Sequence, residues 1–476
     1  MQPIKINKFI LLVVLMFLSG QHVLGQQAWS LEDCINHALE NNIQIKQRKL
    51  SVDIARENLL QTRANQLPSL NANASHGYNF GRTIDPFTNE FATETVRSNN
   101  FSLSTGLNLF SGFQVRNSIE QGRQEMEASR FDVEKMENDI SLAVASGYLQ
   151  ILFARELAVV AASNLEVTRQ QVEQTRKLVE AGTLARGSLF TIEAQAATEE
   201  LQLVNAQNQL EISILNLAQL LDLDDYQQFD IVVPEIDINT FGEMEHSPLQ
   251  IFSTAVNSQP DVRSAELRVA SAEQGVKIAR GARSPMLSFR GSYGTGYSGA
   301  SREITDVMIG EPQQIGLTAS GEAVFGPSFD YFTRTKPFSD QLEDNLNRSL
   351  AFVLTIPIFN SFQTRASISR SKIALENAAL NNQLVRDQFF KNVQQAYADA
   401  QAALKRYHAS TKNVEALQEA FRYVEQRFSL GMVNSLEYND AKNRLTAAQS
   451  DLLQSKYEYV FRVKVLDFYL GIPISI

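Results

Sequence analysis

The sequence predicts a mixed α+β membrane protein in which short membrane strands alternate with long helical hairpins. Three observations predict it. The chain is built twice, it carries four segments that alternate apolar and polar side chains, and two helical stretches are too long for one globule.

The duplication is read from fixed offsets. "LFSGFQVRNSI" at 109–119 aligns with "IFNSFQTRASI" at 358–368, an offset of 249. Gly182 and Gly431 share that offset, as do "LLDL" at 220–223 and "YLGI" at 469–472. From Phe110 to Gly182 is 72 positions, as from Phe359 to Gly431, and glycine to arm end is 39 in both copies. Most side chains differ while the spacings match, so a length has been kept. Upstream, "QLPSL" at 66–70 aligns with "RSPML" at 283–287 at an offset of 217. The missing 32 residues form an insertion, and 299–345, rich in Gly, Ser, Thr, Pro and charge, reads as the long polar loop that holds it.

Each proline is followed by two segments of period two. Leu70, Ala72, Ala74, Tyr78 and Phe80 face one way, and Asn71, Asn73, Ser75 and Asn79 the other. Phe101, Leu103, Leu107 and Leu109 oppose Ser102, Ser104 and Asn108. The second copy supplies Leu287, Phe289, Tyr293 and Tyr297, then Leu350, Phe352, Leu354, Ile356 and Ile358. Runs of about ten to twelve residues suit tilted membrane strands. A soluble half-buried sheet alternates too, but the rest of the chain is long helix with no second apolar layer for it. Four strands do not close a barrel, for which roughly eight is the minimum. Several chains must therefore share one closed sheet.

From Phe113 to Ala181 there is no proline and glycine only at Gly122 and Gly147, and Phe362 to Leu430 has neither residue. Some 68 residues at about 1.5 Å each make a rod on the order of 100 Å. Ala143, Ala145, Ala154, Ala158, Ala161 and Ala162 in the first rod, and Ala396, Ala398, Ala400, Ala402 and Ala403 in the second, put small side chains on more than one face. Such helices pack against neighbours on both sides. Gly182 and Gly431 suit left-handed positions that end the long arms. Asn434 can cap the returning arm, with Glu437 completing a capping box, while Gly187 and Ser188 offer a weaker restart in the first copy.

Composition narrows the class. Lys5 and Lys8, the apolar run Phe9 to Leu18, and small residues at Val23 and Gly25 read as a signal peptide over 1–25. Cleavage there would remove two lysines and take the net charge from −10 to −12, an acidic balance that argues against nucleic acid. After it no apolar run approaches the ~20 residues of a spanning helix. The single cysteine, Cys34, sits on an apolar helical position and reads as a buried thiol. The five histidines are scattered, with no metal-ligand spacing, phosphate-cradling loop or nucleophile elbow, so neither an enzyme nor a cofactor is expected. Residues 223–248 and the tail 471–476 break the helical pattern and read as a small collar.

The ordered layout, with the tips "LVEAGTLARGSLFTIEAQ" and "RFSLGMVNSLEYNDAKN", resembles the TolC-type outer-membrane efflux proteins over nearly all of the mature chain. The resemblance implies a homotrimer whose strands form a twelve-stranded outer-membrane barrel, continued by a helical cylinder in the periplasm. It implies a passive duct for efflux or type I secretion, recruited by a periplasmic adaptor (membrane fusion) protein and an inner-membrane transporter. On this reading 26–222 and 249–470 are the two repeats, each a helix, two barrel strands and a hairpin, with 299–345 extracellular. Glu437 and Asp440 fall where the family's acidic residues ring the periplasmic aperture, and they share a helix face. A capping role for Glu437 stands beside this, as does a plain solvated role for Asp440. Gly182, Thr183, Leu184, Gly431, Met432 and Val433 fall where the adaptor docks, although a simple turn plug fits the same residues. Phe428 and Val433 replace the family's gating tyrosine and arginine, so closure here is expected to rest on apolar contacts or other pairs. The competing reading is a periplasmic coiled-coil stalk without transport. It explains the rods but not the strands.

Overall fold

The computed structural model describes residues 28–85, 87–93, 95–234, 238 and 246–475. The expected signal peptide lies outside the described residues, as do 235–237, 239–245 and 476 of the expected collar.

The first repeat runs α1 (Leu31–Asn41), α2 (Ile43–Ala64), β1 (Ser69–Asn79), a small hairpin of β2 (Thr83–Ile84) and β3 (Phe91–Ala92), β4 (Val96–Ser111), α3 (Gln114–Glu180) and α4 (Arg186–Leu220). The second begins with α5 (Pro248–Ala255), α6 (Pro260–Gly281) and β5 (Met286–Ser298). It continues through β6 (Arg302–Ile309), β7 (Gln313–Leu317), β8 (Ala323–Gly326), β9 (Phe329–Thr335) and α7 (Phe338–Asp344). It closes with β10 (Asn347–Thr355), α8 (Gln363–Ser429) and α9 (Ser435–Tyr469).

The duplication survives in the backbone. α3 and α8 are both 67 residues long, and α4 and α9 are both 35. Left-handed residues recur at the same offset of 249: Gly112 with Ser361, Phe113 with Phe362, Gly182 with Gly431, and Asp222 with Gly471. Phe110 and Phe113 stack edge to face at the start of α3, and Phe359 and Phe362 do the same before α8. The conformation is held even where the residue type has changed.

Contacts divide the molecule into two units. The first takes in the described residues of Met1–Ile54, Met126–Arg268 and Ala378–Ile476, and it is helical. Its largest core joins Cys34, Val144, Tyr148, Ile151, Leu152, Leu217, Leu221 and Val460, and a second joins Ile251, Val262, Phe389, Val393 and Leu466. Cys34 is fully buried, and loss of solvation pushes its thiol up to about 12, so it packs as a small apolar group. One stretch of α3 is, against expectation, apolar enough and long enough to cross a membrane by composition alone. Its Ile140, Val144, Tyr148, Ile151 and Leu152 are spent on the core instead.

The second unit comprises Ala55–Glu125 and Val269–Asn377 and holds the strands. β1, β4, β5 and β10 form one antiparallel sheet in that order. The register puts Ser69 opposite Gly106, Ser111 opposite Met286, and Thr355 opposite Met286. All four connections to long helices therefore leave from one end of the sheet, and 80–95 and 299–346 lie at the other. The segment 299–345 is not the polar loop expected. It folds into a ribbon, β6 paired with β9 and β7 with β8, followed by the short helix α7.

Candidate functional site: the sheet wall and the hairpin tips

Pairing across four strands sorts the sheet into two chemically opposite faces. Residues directly opposite in an antiparallel pair share a face. Ala72, Leu103, Tyr293 and Arg348 form one such row. Leu107, Phe289 and Phe352 form another on the same side, and Leu287 pairs there with Leu354. The alternate rows run Asn71, Ser104, Ser292, Ser349 and Asn108, Ser288, Val353. One side is aromatic and aliphatic, the other hydroxyl and amide. Among the described residues, α7 covers this side only at one end, where Phe338 stacks on Phe101 and Tyr297, and the rest lies open: Leu350 is 79% exposed and Phe352 71%. The outer edges, β1 and β10, each present an unpaired ladder. Such an apolar face with open edges is unstable in water and forbidden in lipid until another strand pairs with it.

At the other functional region, each long arm ends in the same hydrogen-bonded turn. Gly182 N–H donates to the Val179 carbonyl at 3.0 Å and Thr183 N–H to Leu178 at 2.9 Å. Gly431 N–H donates to Phe428 at 3.0 Å and Met432 N–H to Arg427 at 2.9 Å. These paired bonds are Schellman caps, closed by glycines at φ +75° and +70°. Asn434 caps α9 by accepting from Glu437 N–H at 2.9 Å. The reciprocal half of the expected capping box is not made; the Glu437 carboxylate lies 3.5 Å from Arg427 instead. In the first hairpin, Arg186 rather than Gly187 or Ser188 opens α4, and Ala185 precedes it with no side-chain cap.

Glu437 and Asp440 stand on one exposed face of α9, and Asp440 pairs with Arg444 at 3.0 Å. Met432 is exposed at the turn, between exposed Leu430 and Leu436. Thr183 spends its hydroxyl on the Leu178 carbonyl. Leu184 and Val433 are half-buried.

Two features of the tip had no local signal. Tyr438, one residue past Glu437, is buried and stacks on Phe428 with ring centres 4.7 Å apart and on Phe421 at 5.3 Å. With Val172 and Ile192 of the first hairpin it forms a small core, and desolvation pushes its phenol up to about 12. Deeper along α9, Lys442 and Glu199 are 4% and 3% exposed and pair at 3.0 Å. The Lys442 ammonium also donates to the Asn164 carbonyl at 2.9 Å and to the Thr168 hydroxyl. Thr168 donates to Glu199 at 2.5 Å, and Gln195 donates to Glu199 and to Asn443. Burial holds Lys442 below the ordinary lysine pKa against the upward pull of Glu199. A charge pair so buried persists because its hydrogen-bonding atoms are shared out among α3, α4 and α9. Phe428 thus belongs to an apolar stack with Tyr438, while Val433 is half-buried at the turn.

Small side chains do face outward on the helices. Ala143, Val159 and Ala162 on α3, and Ala398 and Ala402 on α8, are exposed, while Ala145, Ala154, Ala396 and Ala400 are buried. α3 and α8 thus carry small apolar residues on both buried and exposed sides. Among the described residues no cluster of His, Cys, Asp and Glu could hold a metal ion.

The family model of the outer membrane efflux protein matches residues 34–222 and 251–471. This chain belongs to that family. It is 24% identical over 452 residues to the outer membrane efflux protein BepC of Brucella suis, covering 94% of this chain and 87% of that one. It is 23% identical over 439 residues to the cation efflux system protein CusC of Escherichia coli strain K12, covering 89% and 82%. Its fold is similar to the crystal structure of CusC, with a TM-score of 0.74 at 19% identity over 96% of each chain. It is also similar to the open-state MtrE outer membrane channel of Neisseria gonorrhoeae, with a TM-score of 0.70 at 21% identity over 93% of this chain and 89% of that one. The chain is therefore an outer membrane efflux protein with the fold of those channels, and the stalk reading gives way.

Proposed function

We propose that three copies of this chain close one twelve-stranded barrel and act as a passive duct from periplasm to exterior. The observation that carries the reading is the four-stranded sheet with one apolar side, one polar side and two open edges. Joining β1 of one copy to β10 of the next removes every edge, turns Leu70, Phe289 and Phe352 to lipid, and lines the lumen with Asn71, Ser104 and Ser292. The outward alanines of α3 and α8 then meet neighbouring copies and carry the ring of helices onward.

At the periplasmic end, Glu437 and Asp440 line the aperture, three copies placing six carboxylates round it, partly offset by Arg427 and Arg444. The glycine turns, Thr183 and Leu184 on one hairpin and Met432 and Val433 on the other, offer the periplasmic adaptor its contact, and through it the inner-membrane pump. Cargo selection belongs to that pump. No residue is assigned a catalytic role.

Native mass of the detergent-extracted protein should be that of a trimer, and the same sample should form stable water-filled channels in planar bilayers. A monomer, or a trimer without conductance, would sink the reading.

A further inference from the structure

At the end of the sheet remote from the long helices, the two connections lie on opposite faces. α7, from the second-repeat insert, stands on the apolar face: Phe338 stacks on Phe101 and Tyr297 with ring centres 6.4 and 5.4 Å apart. The shorter connection between β1 and β4 takes the other face, and the strand register identifies it. Asn100 pairs with Ser75 and Gly296, and Ser98 with Gly77 and Ser298. Opposite residues share a face, and these rows continue the polar one that runs Asn71, Ser104, Ser292 and Ser349.

Two contacts fasten the connection to that polar face. Gly296 has no side chain, and the Phe87 ring occupies the space that a Cβ there would need. Further along β5, the Ser298 hydroxyl donates to the Asp85 carboxylate, and both residues are fully buried. Asp85 also organises the turn that carries Phe87. Its Oδ1 accepts from Phe87 N–H at 3.0 Å and Thr88 N–H at 2.9 Å, and the Thr88 hydroxyl adds a bond at 3.3 Å. Its N–H donates to the Glu90 carbonyl at 3.0 Å, and its own carbonyl accepts from Asn89 N–H at 2.9 Å. A buried carboxylate whose oxygens serve one turn and one strand hydroxyl holds that turn in a single place. Asn89 and Glu90 remain exposed.

We propose that this turn is a constriction inside the extracellular mouth of the duct, three copies each laying Phe87, Asn89 and Glu90 over the polar wall. The inference rests on the trimeric reading above, which makes the polar face the lumen. A loop that merely joined two strands would project past the sheet into solvent. This one folds back over a row of the wall, at a position left without a side chain to receive it. It limits the size of solute that passes the mouth, independently of the periplasmic end.

The test places single cysteines in the full-length protein, whose only native thiol, Cys34, is buried. Channels of Asn89→Cys or Glu90→Cys in planar bilayers, treated from the extracellular side with a bulky charged methanethiosulfonate, should lose conductance in three steps, one per copy. Ser339→Cys, exposed on α7 across the sheet, should give no step. Phe87→Ala should raise the unmodified single-channel conductance. Conducting trimers fully labelled by mass at 89 or 90 with unchanged conductance overturn the constriction and leave the duct standing. So does an equal loss from Ser339→Cys, or a Phe87→Ala channel that conducts no better than the parent. A monomer by native mass, or a trimer without conductance, overturns both.

Discussion

The two hairpins of this protein share a backbone and divide a chemistry. Their arms match in length, and their tips close on the same pair of bonds around a left-handed glycine. Yet at positions 249 apart, Glu437 answers to Ser188, Asp440 to Thr191, Asn434 to Ala185, Lys442 to Glu193, and Glu199 to Ala448. The rods must reach the same distance, so their lengths are held together. Their side chains meet different neighbours, so these diverge. The divergence lets one hairpin supply the buried acid and the other the buried base that clips them together.

Removing one partner of that clip is the harshest way to break the comparison. Lys442→Met should cost about 3–5 kcal/mol, since it strands the Glu199 carboxylate among α3, α4 and α9. Faster hydrogen exchange at the tip amides and a lower melting temperature should report the loss. The double variant Lys442→Met, Glu199→Met should recover most of it; no recovery would mean that Lys442 acts through packing alone.

The acidic face is the next difference to remove. Glu437→Ala with Asp440→Ala should lower cation selectivity in planar bilayers, whereas Ser188→Ala with Thr191→Ala at the matched positions should not. Equal responses from both hairpins would take the acids out of the aperture.

The caps give the smallest effect and allow the difference to be reversed. Asn434→Ala should cost about 1 kcal/mol, and Ala185→Asn should stabilise the first tip by a similar amount. Local exchange rates on either side of the turns measure both; a neutral Ala185→Asn would show that the first restart needs no side-chain acceptor.

The strands and rods were legible because their signals are local. Period-two alternation marks Leu70 to Phe80 and Leu350 to Leu354 without knowledge of any partner, and an absence of proline and glycine marks α8. The insert hides its strands for a physical reason. Its Gly, Ser and Pro content resembles a loop, and the bulge at Thr305 breaks the alternation that would have exposed the strand. The site was half legible. Glycine turns and surface acids sit within one short segment, but Tyr438 gains its role from Phe421, Val172 and Ile192. Lys442 and Glu199 lie 243 residues apart, and neither spacing nor composition links them.

By itself the sequence determined the lengths of the helices, the places where they turn, and which strand positions are apolar. Those properties follow from backbone preference and side-chain periodicity within a few residues. Only the tertiary structure decided which lysine is buried, which carboxylate answers it, and that β1 and β10 are left as edges. Each of these depends on distant segments reaching one another, and an interaction between them leaves no local periodicity to read.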